Sequence, residues 1–175
     1  MKRQLSFISM GSNLGEREFF FHFALKALSS LGRIDLLSPC YETEPVGVSK
    51  QPFYLNAVLA LDSHLDPTDL LEKLLNIEQF AGRTRKKRWE ARTLDLDLLF
   101  VGDICVTHST PIKLELPHPR LHLRRFVLQP FVDIAPHFLH PRLATTMIDL
   151  LHSCPDKSVV LPYQPETILW EPIYP

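Results

Sequence analysis

The spacing of apolar residues switches between two periods along this chain, and the switches mark its elements. Residues 4–10 (QLSFISM) put Leu5 and Phe7 on one side, with Ile8 and Met10 on the other, as in a largely buried strand. Gly11-Ser12-Asn13 is turn chemistry, and Ser12 or Asn13 is placed to cap a following helix. Phe19, Phe20, Phe23, Ala24, Ala27, Leu28 and Leu31 then recur at helical spacing, with Gly32 as a stop. A strand is predicted from Ile34 to about Thr43, a loop over Glu44–Pro52, and a second strand over Tyr54–Asp62. Asp66-Pro67 announces a helix, with the acid at the cap and the proline at the first helical position. Its apolar stripe is Leu70, Leu71, Leu74, Leu75 and Ile77, and Gly82 ends it. After a basic loop comes the strand Leu94–Val101. Gly102-Asp103 then reads as a hairpin turn, with Ile104–Val106 returning beside that strand.

The predicted order is β-α-β-β-α-β. That is an α/β (α+β) fold of the ferredoxin-like kind, with helices packed on a mostly antiparallel sheet. Extra helices are predicted around Leu121–Gln129 and Thr146–Ser153. Eleven of the 15 prolines lie from Pro111 onward, five of them in the last 21 residues. Residues 1–154 are therefore expected to form the domain, and residues 155–175 an extended proline-rich tail.

Composition narrows the function classes. The chain has 175 residues, 45% hydrophobic and 22% charged, with a formal net charge of −1. This is ordinary globular composition, and global charge points to no nucleic-acid or membrane partner. No apolar run approaches the ~18 residues needed to span a bilayer. The N-terminus does not read as a signal peptide. Three scattered cysteines and interrupted histidine pairs suggest neither a disulfide framework nor a zinc site, and fit a cytoplasmic protein.

Charge is instead concentrated locally. Arg83–Arg92 (RTRKKRWEAR) holds six basic residues and one acid. Guanidinium groups match phosphate oxygens, although a solvated loop has the same composition. Next comes Arg92-Thr-Leu-Asp95-Leu-Asp97. Strand alternation puts Asp95 and Asp97 on one face and Leu94, Leu96 and Leu98 on the other, with Cα atoms roughly 6.6 Å apart at ~3.3 Å rise per residue. Two like charges ~4 Å apart repel by about 4 kcal/mol at an effective dielectric near 20. Magnesium with a polyphosphate would satisfy acids and arginines together, since magnesium takes a few carboxylates plus phosphate oxygens. There is no Walker A loop and no G-x-G-x-x-G. His118, Arg120 and Arg124 form a third basic group beside Phe126. Asn56, polar in an apolar strand, shares a face with Tyr54; a flat heterocycle could stack on the ring while the amide reads its edge.

Gly11-Ser-Asn-Leu-Gly15, Tyr41–Gly47 (YETEPVG), Gln51–Ala57 (QPFYLNA), Gly82-Arg-Thr-Arg85, Arg88-Trp89, Arg92–Asp97 (RTLDLD) and Pro117–Phe126 (PHPRLHLRRF) together resemble the 6-hydroxymethyl-7,8-dihydropterin pyrophosphokinase family of folate biosynthesis. The resemblance covers about residues 4–140. It implies ATP-dependent transfer of a pyrophosphoryl group to the pterin hydroxymethyl oxygen, with release of AMP. It implies two magnesium ions held by Asp95 and Asp97, and a catalytic role for Arg83 and Arg92 beside those acids. Arg85, Arg88, Leu98, Lys113, His118 and Arg124 are implied on the ATP side. Thr43, Val46, Tyr54, Asn56, Trp89 and Phe126 are implied on the pterin side, and functional coupling to dihydropteroate synthase follows because some relatives are fused to it. Two positions depart from the family's pattern: Glu90 stands where glycine is common, and Lys113 where some members have arginine.

Two other classes share parts of this pattern. Nucleotidyltransferase palms also carry paired strand carboxylates, and incorporation of labelled nucleotide into polymer would mark them. RNA-recognition domains share the element order, but no K/R-G-F-x-F run is present and the charge lies on a loop.

Overall fold

The computed structural model describes residues 4–45, 51–82, 91–108 and 112–166. Its framework is a sheet built on four long or broken strands. Strand β1 (Gln4–Ser12) leads into helix α1 (Arg17–Ser29). The next strand is broken into β2 (Arg33–Leu37) and β3 (Cys40–Thr43). Strand β4 (Tyr54–Ser63), helix α2 (Pro67–Phe80) and strand β5 (Asp95–Val101) follow. Strand β4 pairs along one side with β1 and along the other with β2 and then β3, and β5 pairs with the free side of β1, all antiparallel. This is the β-α-β-β-α-β sandwich expected from the sequence.

Local chemistry explains most element ends. Asp66 caps α2 through Oδ1, which accepts from the Thr68 and Asp69 amides at 2.9 and 3.0 Å. Such a cap is worth about 1 kcal/mol. The break after Leu37 falls at Ser38-Pro39, where proline cannot donate to the ladder. Ser38 repairs it: its amide donates to Val58 O and its Oγ accepts from Val58 N, both at 2.9 Å. Gly32 ends no helix geometry by itself. It lies against β4, where an added Cβ would come within 2.4 Å of Asp62 O.

Several expectations are corrected. Neither Ser12 nor Asn13 caps α1; Glu16 holds the cap position without a side-chain bond, because Asn13 is engaged elsewhere. Ile104–Val106 does not return beside β5. Val106–His108 (β6) pairs instead with Leu114–Leu116 (β7) in a small separate sheet. The helix expected over Leu121–Gln129 is a 3-10 turn at Leu121–Leu123 followed by α3 (Arg125–Ile134). A short pairing of β8 (Leu139–His140) with β9 (Thr145–Thr146) then precedes α4 (Met147–Ser153). Of the segment expected to form a tail, residues 155–166 are described, and part of them is a strand. Val160–Tyr163 (β10) pairs antiparallel with β3 and extends the main sheet to six strands.

Both faces of the sheet are covered, which is why its strands read as continuous apolar runs. On one face Ile8, Met10 and Leu59 pack against Phe21 and Leu28 of α1 and Leu70 and Leu74 of α2. On the other, Phe7, Val58 and Phe100 pack against Val127, Leu128 and Phe131 of α3. The Phe7 ring lies 4.5 Å from Phe131 and 4.9 Å from Phe138, centroid to centroid. This aromatic cluster fixes α3 on the sheet and so sets where its N-terminal end, Arg124 to Phe126, can reach.

Candidate active site

Strand β5 is an end strand of the sheet, and a cavity of ≈1300 Å³ wraps around it. The wrapping follows from backbone geometry. Phe7 pairs with Phe100 and Ile8 with Leu98, so Leu99 is an extra, bulged residue. Before the bulge Leu94, Leu96 and Leu98 face α1 and α2 while Asp95 and Asp97 face the other way. After it Phe100 turns into the α3 core. The bulged carbonyl of Leu99 is not wasted, since it accepts from His118 N at 2.9 Å and so holds His118 beside the acids.

The acids are already in contact with arginines. Arg92 Nη1 donates to Asp95 Oδ2 at 2.5 Å and Arg124 Nη1 to Asp97 Oδ2 at 2.9 Å. Burial pushes the Asp97 carboxyl up, but His118, Arg124 and Arg92 more than offset this and hold it below the usual carboxylate range. Burial lowers His118 below its ordinary value, Asp97 opposes that shift, and Arg124 and Arg120 add to it. His118 Nδ1 accepts from Arg120 N at 3.2 Å, so the proton of the neutral ring sits on Nε2, 3.9 Å from Asp97 Oδ2.

On the floor, β1 contributes Gly11. It is directly paired with Asn56 on one side and Asp95 on the other, so one small residue separates the polar amide from the acids. Asn56 is buried and donates from Nδ2 to Thr43 Oγ1 at 2.7 Å, which fixes its amide plane. The Arg124 guanidinium lies 5.6 Å from the Phe126 ring centroid and joins the acid side to the aromatic side.

Arg92, Asp95, Asp97, Leu98, Lys113, His118, Arg124, Thr43, Tyr54, Asn56 and Phe126 all line this one cavity. Arg83, Arg85, Arg88, Trp89 and Val46, with Glu90, lie outside the described residues. Sequence reasoning read Asn13 only as a helix cap and gave no role to Glu78 or Asp156. Asn13 Oδ1 accepts from Arg92 N at 2.7 Å, and its Nδ2 donates to Gln51 Oε1 and Pro52 O at 3.1 and 3.3 Å. It therefore ties the end of the basic segment to the residues before Tyr54. Glu78 Oε1, buried on α2, accepts from Leu96 N at 2.8 Å and steadies β5 between its acids. An Asn beside Gly-Ser and an acid in a helix stripe are weak signals, and Asp156 had none.

Among the described residues no group of three His, Cys, Asp or Glu side chains could hold a metal ion. Two carboxylates are an incomplete cage for a metal alone, but they suit magnesium arriving with phosphate oxygens and water. Thr93 lines the same cavity, and its Oγ1 is buried without a hydrogen-bond partner.

An antiparallel α/β sandwich that sets paired acids and guanidiniums around one large cavity is the arrangement of an enzyme handling phosphate groups. Residues 7–136 match the model of the 7,8-dihydro-6-hydroxymethylpterin-pyrophosphokinase family, and the chain belongs to that family. It is 39% identical over 138 residues to the 2-amino-4-hydroxy-6-hydroxymethyldihydropteridine pyrophosphokinase of Haemophilus influenzae, covering 78% of this chain and 84% of that one. It is 39% identical over 158 residues to the protein of the same name from Pseudomonas aeruginosa, covering 89% and 95%. Among solved structures, the wild-type HPPK-DHPS of Plasmodium falciparum with pteroate superposes at a TM-score of 0.72 and 16% identity. That match covers 87% of this chain but spans only 42% of the longer one, and it shows the fold alone. No helix among the described residues is long and apolar enough to cross a membrane.

Proposed function

We infer how this pyrophosphokinase of folate biosynthesis divides its work among its residues. The reaction moves the β,γ-pyrophosphoryl group of ATP to the hydroxymethyl oxygen of 6-hydroxymethyl-7,8-dihydropterin and releases AMP. The single observation that carries the assignment is that Asp95 and Asp97, each paired with an arginine, share a cavity with Asn56, Tyr54 and Phe126.

Asp95 and Asp97 would hold two magnesium ions. Bound there with the triphosphate, magnesium supplies charge neutralisation and polarises phosphate oxygens. The remaining work falls to the chain. Arg92, Arg124 and Lys113 donate to phosphate oxygens, and His118 adds its Nε2–H. Arg83 and Arg92 stabilise charge on the transferred group and on the leaving AMP, while Arg85 and Arg88 hold the triphosphate. Leu98, with Leu71, Leu75 and Ile112, makes an apolar wall for the base. Tyr54 and Phe126 flank the pterin ring. Asn56, oriented by Thr43, reads the ring's edge, Val46 contributes backbone groups, and Trp89 folds over the bound substrates. Phosphoryl-type transfer is chiefly positioning and charge stabilisation, so the absence of an obvious general base among the described residues is no obstacle. Functional coupling to dihydropteroate synthase belongs to the same proposal, and the P. falciparum HPPK-DHPS chains are its support.

Phosphorus NMR of the protein with ATP, magnesium and 6-hydroxymethyl-7,8-dihydropterin tests the reading. AMP and a new diphosphate ester are expected only when pterin is present. ADP, or AMP formed equally without pterin, would contradict it.

A further inference from the structure

The family match ends at residue 136, yet the chain after α4 returns to the cavity. Asp156 lines it. Asp156 Oδ2 accepts from Arg125 N at 3.0 Å, and its Oδ1 accepts from Ser158 N at 2.9 Å, closing a tight Asx turn. Lys157 Nζ donates to Cys154 O at 2.9 Å within the same turn. Arg125 is the first residue of α3, and α3 has no capping side chain of its own. Asp156 thus caps this helix from 31 residues away, its carboxylate also complementing the positive end of the helix dipole.

The first turn of α3 needs such support. Pro130 lies inside the helix and cannot donate to Phe126 O, so one internal bond is missing at the residue that carries the aromatic wall. The same turn carries Arg124, bonded to Asp97.

The residues after Asp156 grip the opposite wall. Val159 N donates to Glu44 Oε2 at 3.2 Å and Glu44 N donates to Val159 O at 3.3 Å. Val160 then pairs with Thr43, the partner of Asn56. Beyond that, Tyr163 Oη donates to Glu18 Oε1 at 2.7 Å, anchoring the segment on α1.

We propose that Asp156–Tyr163 is a strap joining the two walls of the pterin end of the cavity, and that Asp156 is a positioning residue for Phe126. The proposal rests on the pterin-site reading above. It assigns the strap to pterin binding and not to ATP binding, because one grip, at Arg125 N, adjoins Phe126 and the other pairs with Thr43, while Arg124 is held separately by its bond to Asp97.

The test compares full-length wild type, Asp156→Ala and Asp156→Asn. Pterin affinity is read by fluorescence of 6-hydroxymethylpterin, and nucleotide affinity by calorimetry with α,β-methylene-ATP and magnesium. Asp156→Ala is expected to weaken pterin binding by about tenfold, the cost of one hydrogen bond to a charged group. Nucleotide affinity should stay within about twofold. Asp156→Asn keeps one acceptor oxygen, enough for the Arg125 amide but not for the Ser158 amide as well, and should recover part of the loss. Amide exchange at Arg125, followed by NMR, should quicken by about tenfold in Asp156→Ala while the β1 and β4 amides stay protected. Unchanged exchange at Arg125, unchanged pterin affinity, or equal loss for pterin and nucleotide would each overturn the strap. A wild type that binds neither ligand counts against the functional reading instead, and the exchange experiment still decides the cap. If Asp156→Ala does not fold, Asp156→Asn must weaken pterin binding by less than about tenfold with nucleotide affinity held within about twofold, and a complete loss of pterin binding or an equal loss for both ligands overturns the proposal.

Discussion

Gly11→Ala separates pterin binding from stability, because its effect can be worked from neighbouring atoms. A Cβ at Gly11 would lie 3.0 Å from Asn56 Oδ1, 3.8 Å from Asp95 Cβ and 3.9 Å from Tyr54 Cδ1. The second and third distances are ordinary contacts. The first is too close by a few tenths of an ångström, so the carboxamide must turn or withdraw. Its Nδ2 bond to Thr43 Oγ1, 2.7 Å long, limits that movement. Two effects on stability oppose each other. Replacing glycine in a strand gains roughly 0.5–1 kcal/mol, and displacing Asn56 costs about 1 kcal/mol, one neutral hydrogen bond. The net change should lie within about 1 kcal/mol of zero. Pterin binding has no such offset. The methyl group occupies the floor, and the misplaced amide leaves edge groups of the ring unpaired. A buried polar group left without its partner costs about 1–3 kcal/mol, so affinity should fall by roughly ten- to a hundredfold. Denaturant unfolding gives the first quantity and fluorescence titration with 6-hydroxymethylpterin the second, with magnesium and α,β-methylene-ATP as a control that should not move. Unchanged pterin affinity would refute the placement of the ring beside Asn56, and a stability loss above about 2 kcal/mol would show that the carboxamide cannot yield.

Three further outcomes follow from the same geometry. Asp97→Ala should reduce turnover by about a thousandfold, since several kcal/mol of charge stabilisation depend on it. Its unfolding free energy should change by only about 1 kcal/mol, because the side chain is 34% exposed and its ion pair is screened; near-normal activity at ordinary magnesium would end the assignment. Arg92→Ala should lower kcat more than it weakens pterin binding, and a large loss of pterin affinity at unchanged kcat would contradict its role. Burial raises the Asp133 carboxyl, against the partial opposition of the bond from Tyr41 Oη at 2.7 Å. A raised carboxyl favours the folded state while protonated, so this contribution is present below the ordinary value of about 3.9 and is lost as pH rises through the folded one. Stability of the wild type relative to Asp133→Asn should therefore fall as pH rises from about 4 toward neutrality; parallel denaturation curves across that range would refute it.

What the sequence made legible was short-range. Asp66-Pro67 is a cap because the amide donors it accepts from lie two and three residues on, and Asp95 and Asp97 share a face because strands alternate. The pterin-side pair Tyr54 and Asn56 was readable for the same reason. The misses depend on partners far along the chain. Asn13 read as a local cap because nothing near it showed that it would accept from Arg92 N, 79 residues away. Ile104–Val106 read as a return strand because a Gly-Asp turn usually closes a hairpin. Here the turn amides are used otherwise: Gly102 N donates to Leu5 O, and Ile104 N donates back to Val101 O. β10 read as tail because prolines suggest irregular chain, yet Pro162 sits on an edge strand, where a missing donor is tolerated.

The bulge at Leu99 links these observations. A regular β5 would keep strict alternation, and Phe100 would then face α1 and α2 with Leu94, Leu96 and Leu98. One extra residue lets the first half of the strand show its acids to the cavity while the second half gives Phe100 to the aromatic cluster under α3. The same extra residue supplies the carbonyl that holds His118. Position along one strand thus decides three things at once: the direction of Asp95 and Asp97, the seating of α3 with Arg124 and Phe126, and the reach of His118. A substitution that removed the bulge would disturb acids, helix and imidazole together, which makes the site a property of the strand and not only of the side chains it carries.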